Sequence, residues 1–163
     1  MTCEQVIASA LRRVGDEWAA GRVSIAQEHR ASAICERLLA WQTRQPPGRP
    51  RGTAVVATPP GERHGLPALM AAACLREDRW LVHHLASDLP AAEVARLADQ
   101  VSAGLVVLSS ATDQGATRAQ QETRFIAARR PGLSVLAGRS GDSLRDLLAQ
   151  AGHPPAAGQG PRA

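Results

Sequence analysis

From Thr53 to Ala137, short apolar runs alternate with stretches of helical periodicity, and this alternation restricts the fold more than any other feature of the chain. The apolar runs are TAVVAT at 53–58, WLVHHL at 80–85, GLVVLS at 104–109 and LSVLA at 133–137. Apolar residues at spacings of three and four predict helices at 66–77, 90–102, 117–130 and 142–150. Strands that alternate with helices form a parallel sheet with right-handed crossovers. The sequence therefore predicts an α/β, flavodoxin/Rossmann-like domain at 53–153, with helices on both faces of the sheet.

Two amphipathic helices precede this repeat. The first covers residues 2–19 and ends near Gly21, and the second starts at Ser24, where Gln27 completes a capping-box pattern. The sequence QPPGRPRG that follows cannot continue a helix. We therefore expect a truncated, two-helix cap at 1–45, a linker at 46–52 and a disordered tail at 154–163. A helix pair with one apolar face cannot bury that face alone. We therefore expect either that a second copy or a partner protein completes the cap or that the true start of the chain lies upstream.

Composition and charge exclude several classes of protein. The net charge is +4, but the arginines are scattered and no helix-turn-helix, zinc-finger or RNP signature is present, so direct DNA binding is not favoured. Cys3, Cys35 and Cys74 are odd in number and have no CxxC spacing, which indicates neither a disulfide framework nor a zinc site. No apolar run is long enough to span a membrane, and the N-terminus has no signal-peptide core. We expect a soluble, cytoplasmic protein.

The loop after the first strand carries the first candidate site. In an open parallel sheet, ligands bind at the carboxyl ends of the strands, where the strand order reverses beside the first strand. There the sequence reads Thr58-Pro-Pro-Gly-Glu-Arg-His64. Histidine is the commonest transition-metal ligand, and the carboxylate of Glu62, two residues earlier, can orient the His64 imidazole and raise its basicity. An isolated loop histidine is more often a solvated bystander, so the loop alone leaves both interpretations open.

Other ligands of this fold fit the sequence poorly. No GxGxxG follows a strand and no P-loop is present, which argues against nucleotide sites of these types. A phosphoacceptor receiver domain needs acidic residues after the first strand, where Thr58-Pro59-Pro60 stands instead. The pair His83-His84 lies within a predicted strand, so the two side chains point to opposite faces and we interpret both as structural.

Two motifs resemble those of cobalamin-binding domains. Glu62-Arg63-His64 resembles the lower-ligand motif of that family, Glu or Asp, any residue, His, two residues, Gly, although Pro67 stands in place of the glycine. Trp18, nine further residues and then Glu28-His29 resemble the cap motif of the light-sensing, MerR-linked transcription regulators. The resemblance extends from Val14 to about Leu148, but the regulators' DNA-binding domain is absent from this sequence.

The resemblance implies a cobalamin cofactor and a set of residues that bind it. It implies that His64 ligates the cobalt from below and that the cap surrounds the upper axial group, with adenosylcobalamin favoured and methylcobalamin as the alternative. In the photoreceptor members a second histidine follows the tryptophan, and here that residue is Ala19. The implied cofactor-binding residues are Trp18, Ile25, Glu28 and His29 in the cap, Glu62, Arg63, His64 and Gly65 in the first loop, and Ser109, Ser110, Gly138 and Arg139 at the ends of the third and fourth strands.

Three functions follow from these observations. The first is a cobalamin-dependent sensor or regulatory module, which the Trp18, Glu28 and His29 set favours. The second is a corrinoid carrier that moves a methyl group between methyltransferase partners. The third is a cofactor-free remnant that keeps the fold for protein contacts. Because cobalamin performs the chemistry and the protein supplies orientation and axial ligation, we expect a binding protein and not an enzyme.

Overall fold

The computed structural model describes residues 4–41, 48–139 and 149. The predicted tail at 154–163, the first two residues of the predicted linker and all but residue 149 of the helix predicted at 142–150 lie outside this range. Residue 149 is helical. In the part of the chain that is described, no helix combines the length and the apolar character needed to cross a membrane.

The described chain is a helix pair followed by alternating strands and helices, as the sequence predicts. A π-helical turn at Glu4–Ala8 leads into the first α-helix. The elements are α1 (Ser9–Ala19), α2 (Ile25–Trp41), β1 (Thr53–Ala57), α3 (Leu66–Glu77), β2 (Leu81–His84), α4 (Ala91–Gln100), β3 (Leu105–Ser110), α5 (Asp113–Arg129) and β4 (Ser134–Arg139). The α/β, Rossmann-like class predicted for this chain is thereby confirmed.

The four described strands form one parallel sheet in the order β2-β1-β3-β4. The chain moves from β1 outward to β2 and then returns to the opposite side of β1 for β3. The strand order therefore reverses between β1 and β3, and the loops that follow these two strands flank the reversal. This is the position expected for the segment from Thr58 to His64.

Each face of the sheet is covered by helices. On one face, α3 packs on alternate residues of β1 and β3, such as Val56 and Val107. On the other face, α4 and α5 pack on the intervening residues, such as Val55 and Val106. The cap is anchored on the first face, because the fully buried Leu39 of α2 packs against Ala73 of α3. The cap thus lies on the α3 side of the sheet.

Helix α5 begins four residues earlier than the apolar periodicity indicates. The hydroxyl of Thr112 accepts a hydrogen bond from the Gly115 N–H at 3.0 Å, which caps the helix and starts it at Asp113 instead of Thr117. Of the four residues in between, Asp113 and Gln114 are polar and Gly115 has no side chain, so the periodicity of apolar residues gives little signal there. The earlier start brings the helix N-terminus next to the loop after β1.

The predicted capping box at the start of α2 is present in atomic detail. The Ser24 N–H donates to Gln27 Oε1 at 2.8 Å, and the Gln27 N–H donates to Ser24 Oγ at 3.3 Å. These two bonds satisfy N–H groups that a helix start otherwise leaves without partners. The turn between α1 and α2 is therefore fixed by local interactions.

Replacing Gln27 with alanine is expected to lower the free energy of unfolding by about 0.5–1 kcal/mol, because the Ser24 N–H loses its acceptor. Urea denaturation followed by circular dichroism measures this loss. Gln120→Ala is the matched control, since Gln120 is an exposed glutamine within α5. An equal loss in both variants would show that the box contributes nothing beyond helix propensity.

Candidate functional site

A cleft of about 930 Å³ separates the cap from the carboxyl ends of the strands. Helices α1 and α2 form its upper wall, and the loop after β1, the start of α3 and the ends of β3 and β4 form its lower wall. The predicted site residues on its walls are Trp18, Glu28, His29, Arg63, His64, Gly65, Ser109, Gly138 and Arg139. The fold therefore brings together residues that are up to 121 positions apart in the chain, from Trp18 to Arg139.

Three other predicted residues do not line this cleft. Ile25 is exposed at the start of α2. Ser110 is fully buried, and its hydroxyl donates to the Gly138 carbonyl oxygen at 3.1 Å. Consecutive strand residues point to opposite faces, and here Ser109 takes the cleft side and Ser110 the α5 side. Glu62 lies beneath the loop, where it contacts His64 from behind.

The loop after β1 is held by a polar framework around Thr58. The buried Thr58 hydroxyl donates to the Glu62 carbonyl oxygen at 2.8 Å and accepts the Asp88 N–H at 2.9 Å. The Asp88 carboxylate in turn accepts the Gly61 N–H at 2.7 Å. Gly61 has a φ of 82°, in the left-handed region that glycine adopts without strain. These contacts fix the backbone that carries Glu62 and His64.

The Glu62 carboxylate is 1% exposed and is fully engaged by hydrogen bonds. Its Oε1 accepts the His64 N–H at 3.0 Å and contacts His64 Nδ1 at 2.6 Å. Its Oε2 accepts the N–H groups of Ala111 and Thr112 at 3.0 and 3.1 Å and the Thr112 hydroxyl at 2.9 Å. Glu62 thus connects the loop after β1 to the loop after β3 across the point where the strand order reverses.

These contacts keep Glu62 ionised. Burial raises the pKa of this carboxyl, but the hydrogen bonds from His64 and Thr112 favour the charged form more strongly and lower the pKa to about 2. A buried carboxylate in this state is a fixed negative charge directly behind the imidazole. It fixes the orientation of the His64 ring and makes the other ring nitrogen, Nε2, a stronger electron-pair donor to a metal.

The His64 side chain is 64% exposed and lies on the wall of the cleft. Its Nδ1 contacts Glu62, which leaves Nε2 as the nitrogen available to a ligand in the cleft. Among the described residues, no group of three or more His, Cys, Asp or Glu side chains is arranged to hold a metal ion. Through its Nε2, His64 can give one nitrogen to a metal in the cleft.

The cap contributes an aromatic face and a polar pair to the same cleft. Trp18, at the end of α1, is 50% exposed and lines the upper wall. The Glu28 carboxylate contacts His29 Nδ1 at 2.7 Å and accepts the Ser32 hydroxyl at 2.7 Å. An indole offers a flat surface for packing, and the carboxylate retains oxygen lone pairs for further donors. The upper wall can thus take a group that has both a flat apolar part and hydroxyls.

Several residues of the site gave no recognisable signal in the sequence. Thr112 donates hydrogen bonds to the Glu62 carboxylate, and Gly115 leaves space for it because it has no side chain. Both residues lie about 50 positions further along the chain. A carboxylate placed two residues before a ligand histidine implies that its second oxygen needs donors, but not where those donors lie. The cleft is also lined by side chains outside the motifs, among them Arg12, Ser32, Glu36, Met70 and Cys74.

Arg139 is partly held by the start of α5. Its Nη2 donates to the Asp113 carboxylate at 2.7 Å, and both side chains are largely exposed to solvent. An exposed pair of this kind contributes at most about 1 kcal/mol to stability. Arg139 lies at the edge of the cleft beside Gly138.

The N-terminal part of the chain matches a known protein family. Residues 2–41, which include the whole described cap, match the model of a family described as a B12 binding domain. No curated protein matches the chain in sequence. The family match covers the helices that carry Trp18, Glu28 and His29.

Three solved structures share the fold. The monomethylamine corrinoid protein of Methanosarcina barkeri is 14% identical, with a TM-score of 0.65 over 93% of this chain and 76% of that one. A cobalamin-binding protein of Desulfitobacterium hafniense is 18% identical, with a TM-score of 0.52 over 93% of this chain and 74% of that one. The methanol:cobalamin methyltransferase complex of Methanosarcina barkeri gives 13% identity and a TM-score of 0.52 over 91% of this chain. This chain spans only 58% of the matched chain in that complex. The described chain therefore has the fold of these three proteins, and its N-terminal helices match a B12 binding domain.

Proposed function

We propose that this protein binds a cobalamin in the cleft between the cap and the sheet, with His64 as the lower ligand of the cobalt. The observation that carries the proposal is the His64 imidazole, which lines the cleft while its Nδ1 contacts the buried carboxylate of Glu62 at 2.6 Å. A metal held in a macrocycle already has its equatorial ligands, so a single, well-oriented imidazole is the contribution required from the protein.

The residues present fit such a cofactor. A large, partly apolar ligand needs a cleft with apolar walls and a few convergent polar groups. The cleft provides Leu11, Leu66 and Met70 as apolar contacts and has a volume of about 930 Å³. Backbone can approach the ligand closely at Gly65 and Gly138, which have no side chains and lie on its walls. When bound, the corrinoid would supply the cobalt and its chemistry, while this chain orients it and limits its contact with water.

The upper wall supports a sensor or regulatory module as the more specific role. Trp18 offers a flat surface on the upper wall of the cleft. Glu28 lies on the same wall, and its carboxylate is held by a contact with His29. These groups suit an adenosyl upper ligand, whose ribose hydroxyls can donate to a carboxylate and whose base can pack on an indole. Loss of the adenosyl group would remove these contacts and change the position of α1 and α2. In this role the protein is a binding module and not an enzyme.

A corrinoid methyl carrier is the second candidate. It is favoured by the structural similarity to a monomethylamine corrinoid protein and to part of a methanol:cobalamin methyltransferase complex. A methyl group has neither hydroxyls nor a flat surface, so it would use the polar part of the upper wall less than an adenosyl group does. The two candidates therefore differ in the upper ligand that the cap prefers.

The test is to incubate the purified protein in the dark with adenosylcobalamin, methylcobalamin or hydroxocobalamin, remove free ligand by desalting and record visible spectra. Retained colour with the spectrum of a histidine-ligated cobalamin is the expected result. His64→Ala should abolish that spectral signature, because the lower nitrogen ligand is removed. His83→Ala is the matched control, since His83 pairs in register with Val55 on the far face of the sheet.

The cap variants separate the two candidate roles. In the sensor role, Trp18→Ala and Glu28→Ala weaken adenosylcobalamin more than methylcobalamin, with an expected loss of about ten-fold for each contact of about 1.4 kcal/mol. In the carrier role, both cobalamins are affected alike. Failure of the wild-type protein to retain any of the three cobalamins would contradict cobalamin binding itself.

A further inference from the structure

One face of helix α2 lines the cleft, and the opposite face carries exposed apolar side chains. Glu28, Ser32 and Glu36 recur every four residues and line the cleft. At 3.6 residues per turn, Ile34, Leu38 and Trp41 lie on the opposite side of the same helix. Their side chains are exposed by 41%, 52% and 89%, respectively. We call these three residues the outer stripe of α2.

Surface apolar side chains are common singly, but a stripe at helical spacing is typical of a contact surface. Trp41 is the most exposed of the large apolar residues in the described chain. Indole is also the side chain most often found at the energetic centre of protein interfaces. The spacing of four and then three residues matches the anchors of a helix that packs along another helix.

The charged residues of α2 that lie beside the outer stripe are both positive. Arg30 and Arg37 lie on the outer half of α2, and neither forms an ion pair with any other described residue. Both acidic residues of α2, Glu28 and Glu36, are on the cleft side. A surface that packs on the stripe therefore meets two unpaired guanidinium groups and no carboxylate from α2.

From this pattern we propose that the outer stripe docks an acidic amphipathic helix of a partner protein. The partner helix presents apolar side chains to Ile34, Leu38 and Trp41, and its flanking carboxylates pair with Arg30 and Arg37. A second copy of this chain fits less well, because a two-fold contact through the stripe brings the arginines of the two copies together, and like charges that face each other weaken an interface.

This inference does not depend on cobalamin binding. The outer stripe and the cleft are on opposite faces of α2, so a helix can dock whether or not the cleft holds a ligand. If the protein retains no cobalamin, the docking proposal remains testable. If no helix docks on the outer stripe, the proposal of cobalamin binding remains testable.

The test uses the full chain and two synthetic helical peptides. Both peptides carry the same leucine stripe, which is flanked by glutamates in one and by lysines in the other. Fluorescence anisotropy of the labelled peptides measures the dissociation constant for the wild-type protein, for Leu38→Asp and for the double variant Arg30→Glu, Arg37→Glu. Arg118→Glu is the control, because Arg118 is an exposed arginine on α5, away from the cap.

We expect the wild-type protein to bind the glutamate peptide at least about ten-fold more tightly than the lysine peptide. Leu38→Asp should weaken both peptides by about ten-fold or more, and the double arginine variant should reverse the preference, so that the lysine peptide binds better. Arg118→Glu should change neither value. Equal binding of the two peptides, or binding that Leu38→Asp leaves unchanged, would overturn the proposal. A dimer of the wild-type protein in sedimentation experiments would also overturn the proposal if Leu38→Asp abolished that dimer, because a second copy would then occupy the stripe.

Discussion

Replacing Glu62 with glutamine is expected to lower the free energy of unfolding at pH 7 by about 3 kcal/mol, through the loss of a buried, fully hydrogen-bonded carboxylate. Every hydrogen-bonding group around the two oxygens of Glu62 is a donor. These groups are the N–H groups of His64, Ala111 and Thr112, the Thr112 hydroxyl and, at Oε1, the His64 ring. A glutamine keeps the shape but turns one acceptor into an NH₂ group. That group faces N–H donors in either orientation, and the buried donors lose their partners.

The same substitution should change how stability depends on pH. The pKa of Glu62 is about 2 in the folded protein, below its ordinary value of 4.5. Because the folded value is the lower one, this group stabilises the protein fully above pH 4.5 and loses that contribution as the pH falls towards 2. At about 1.4 kcal/mol per pH unit, the interval corresponds to about 3 kcal/mol. The unfolding free energy of Glu62→Gln should therefore fall less steeply between pH 5 and pH 3 than that of the wild type.

Urea denaturation at pH 7, 5, 4 and 3 measures both effects. Glu93→Gln is the matched control, because Glu93 is an exposed carboxylate on α4 that pairs with Arg96. Surface pairs of this kind contribute at most about 1 kcal/mol. If Glu62→Gln and Glu93→Gln lose the same stability, the hydrogen bonds to Glu62 do not hold the two loops together.

The fold was predictable because its signals are local. Each strand is a short apolar run and each helix has its own periodicity, so the alternation from β1 to β4 can be recognised without any long-range information. The same is true of the Ser24-Gln27 capping box, whose two partners are three residues apart. The predicted start of α5 was wrong by four residues, because the Thr112 side chain, and not an apolar residue, determines where the helix begins.

The candidate site was predictable only in part. The position of the His64 loop follows from the general rule that ligands bind where the strand order of a parallel sheet reverses, and the structure places His64 there. Which of two neighbouring hydroxyls reaches the cleft depends on strand orientation, and Ser109 rather than Ser110 lies on the wall. The donors for Glu62 Oε2 come from a loop about 50 residues away, and their distance along the chain hides them from any local pattern.

Replacing Gly115 with alanine should lower the free energy of unfolding by about 2–4 kcal/mol, although alanine is the better helix former. A Cβ at this position would lie well inside van der Waals contact with Glu62 Oε2, and it would be 2.9 Å from Thr112 Oγ1 and 3.1 Å from Ser110 Cβ. The Glu62 carboxylate is held by five hydrogen bonds, so it cannot move without losing some of them. The clash therefore outweighs the gain of about 0.5–1 kcal/mol that alanine usually brings to a helix.

Gly15→Ala is the control for this prediction. Gly15 lies within α1, and a Cβ there would meet no atom within 4 Å, so the variant should be about 0.5–1 kcal/mol more stable than the wild type. Opposite signs for the two variants in urea denaturation are the expected result. Because a displaced Glu62 no longer orients the His64 imidazole, Gly115→Ala should also weaken retention of cobalamin by about 10–100-fold if His64 is its ligand. A Gly115→Ala protein as stable as Gly15→Ala would mean that the carboxylate has room to move, and that the tight space around Glu62 does not position His64.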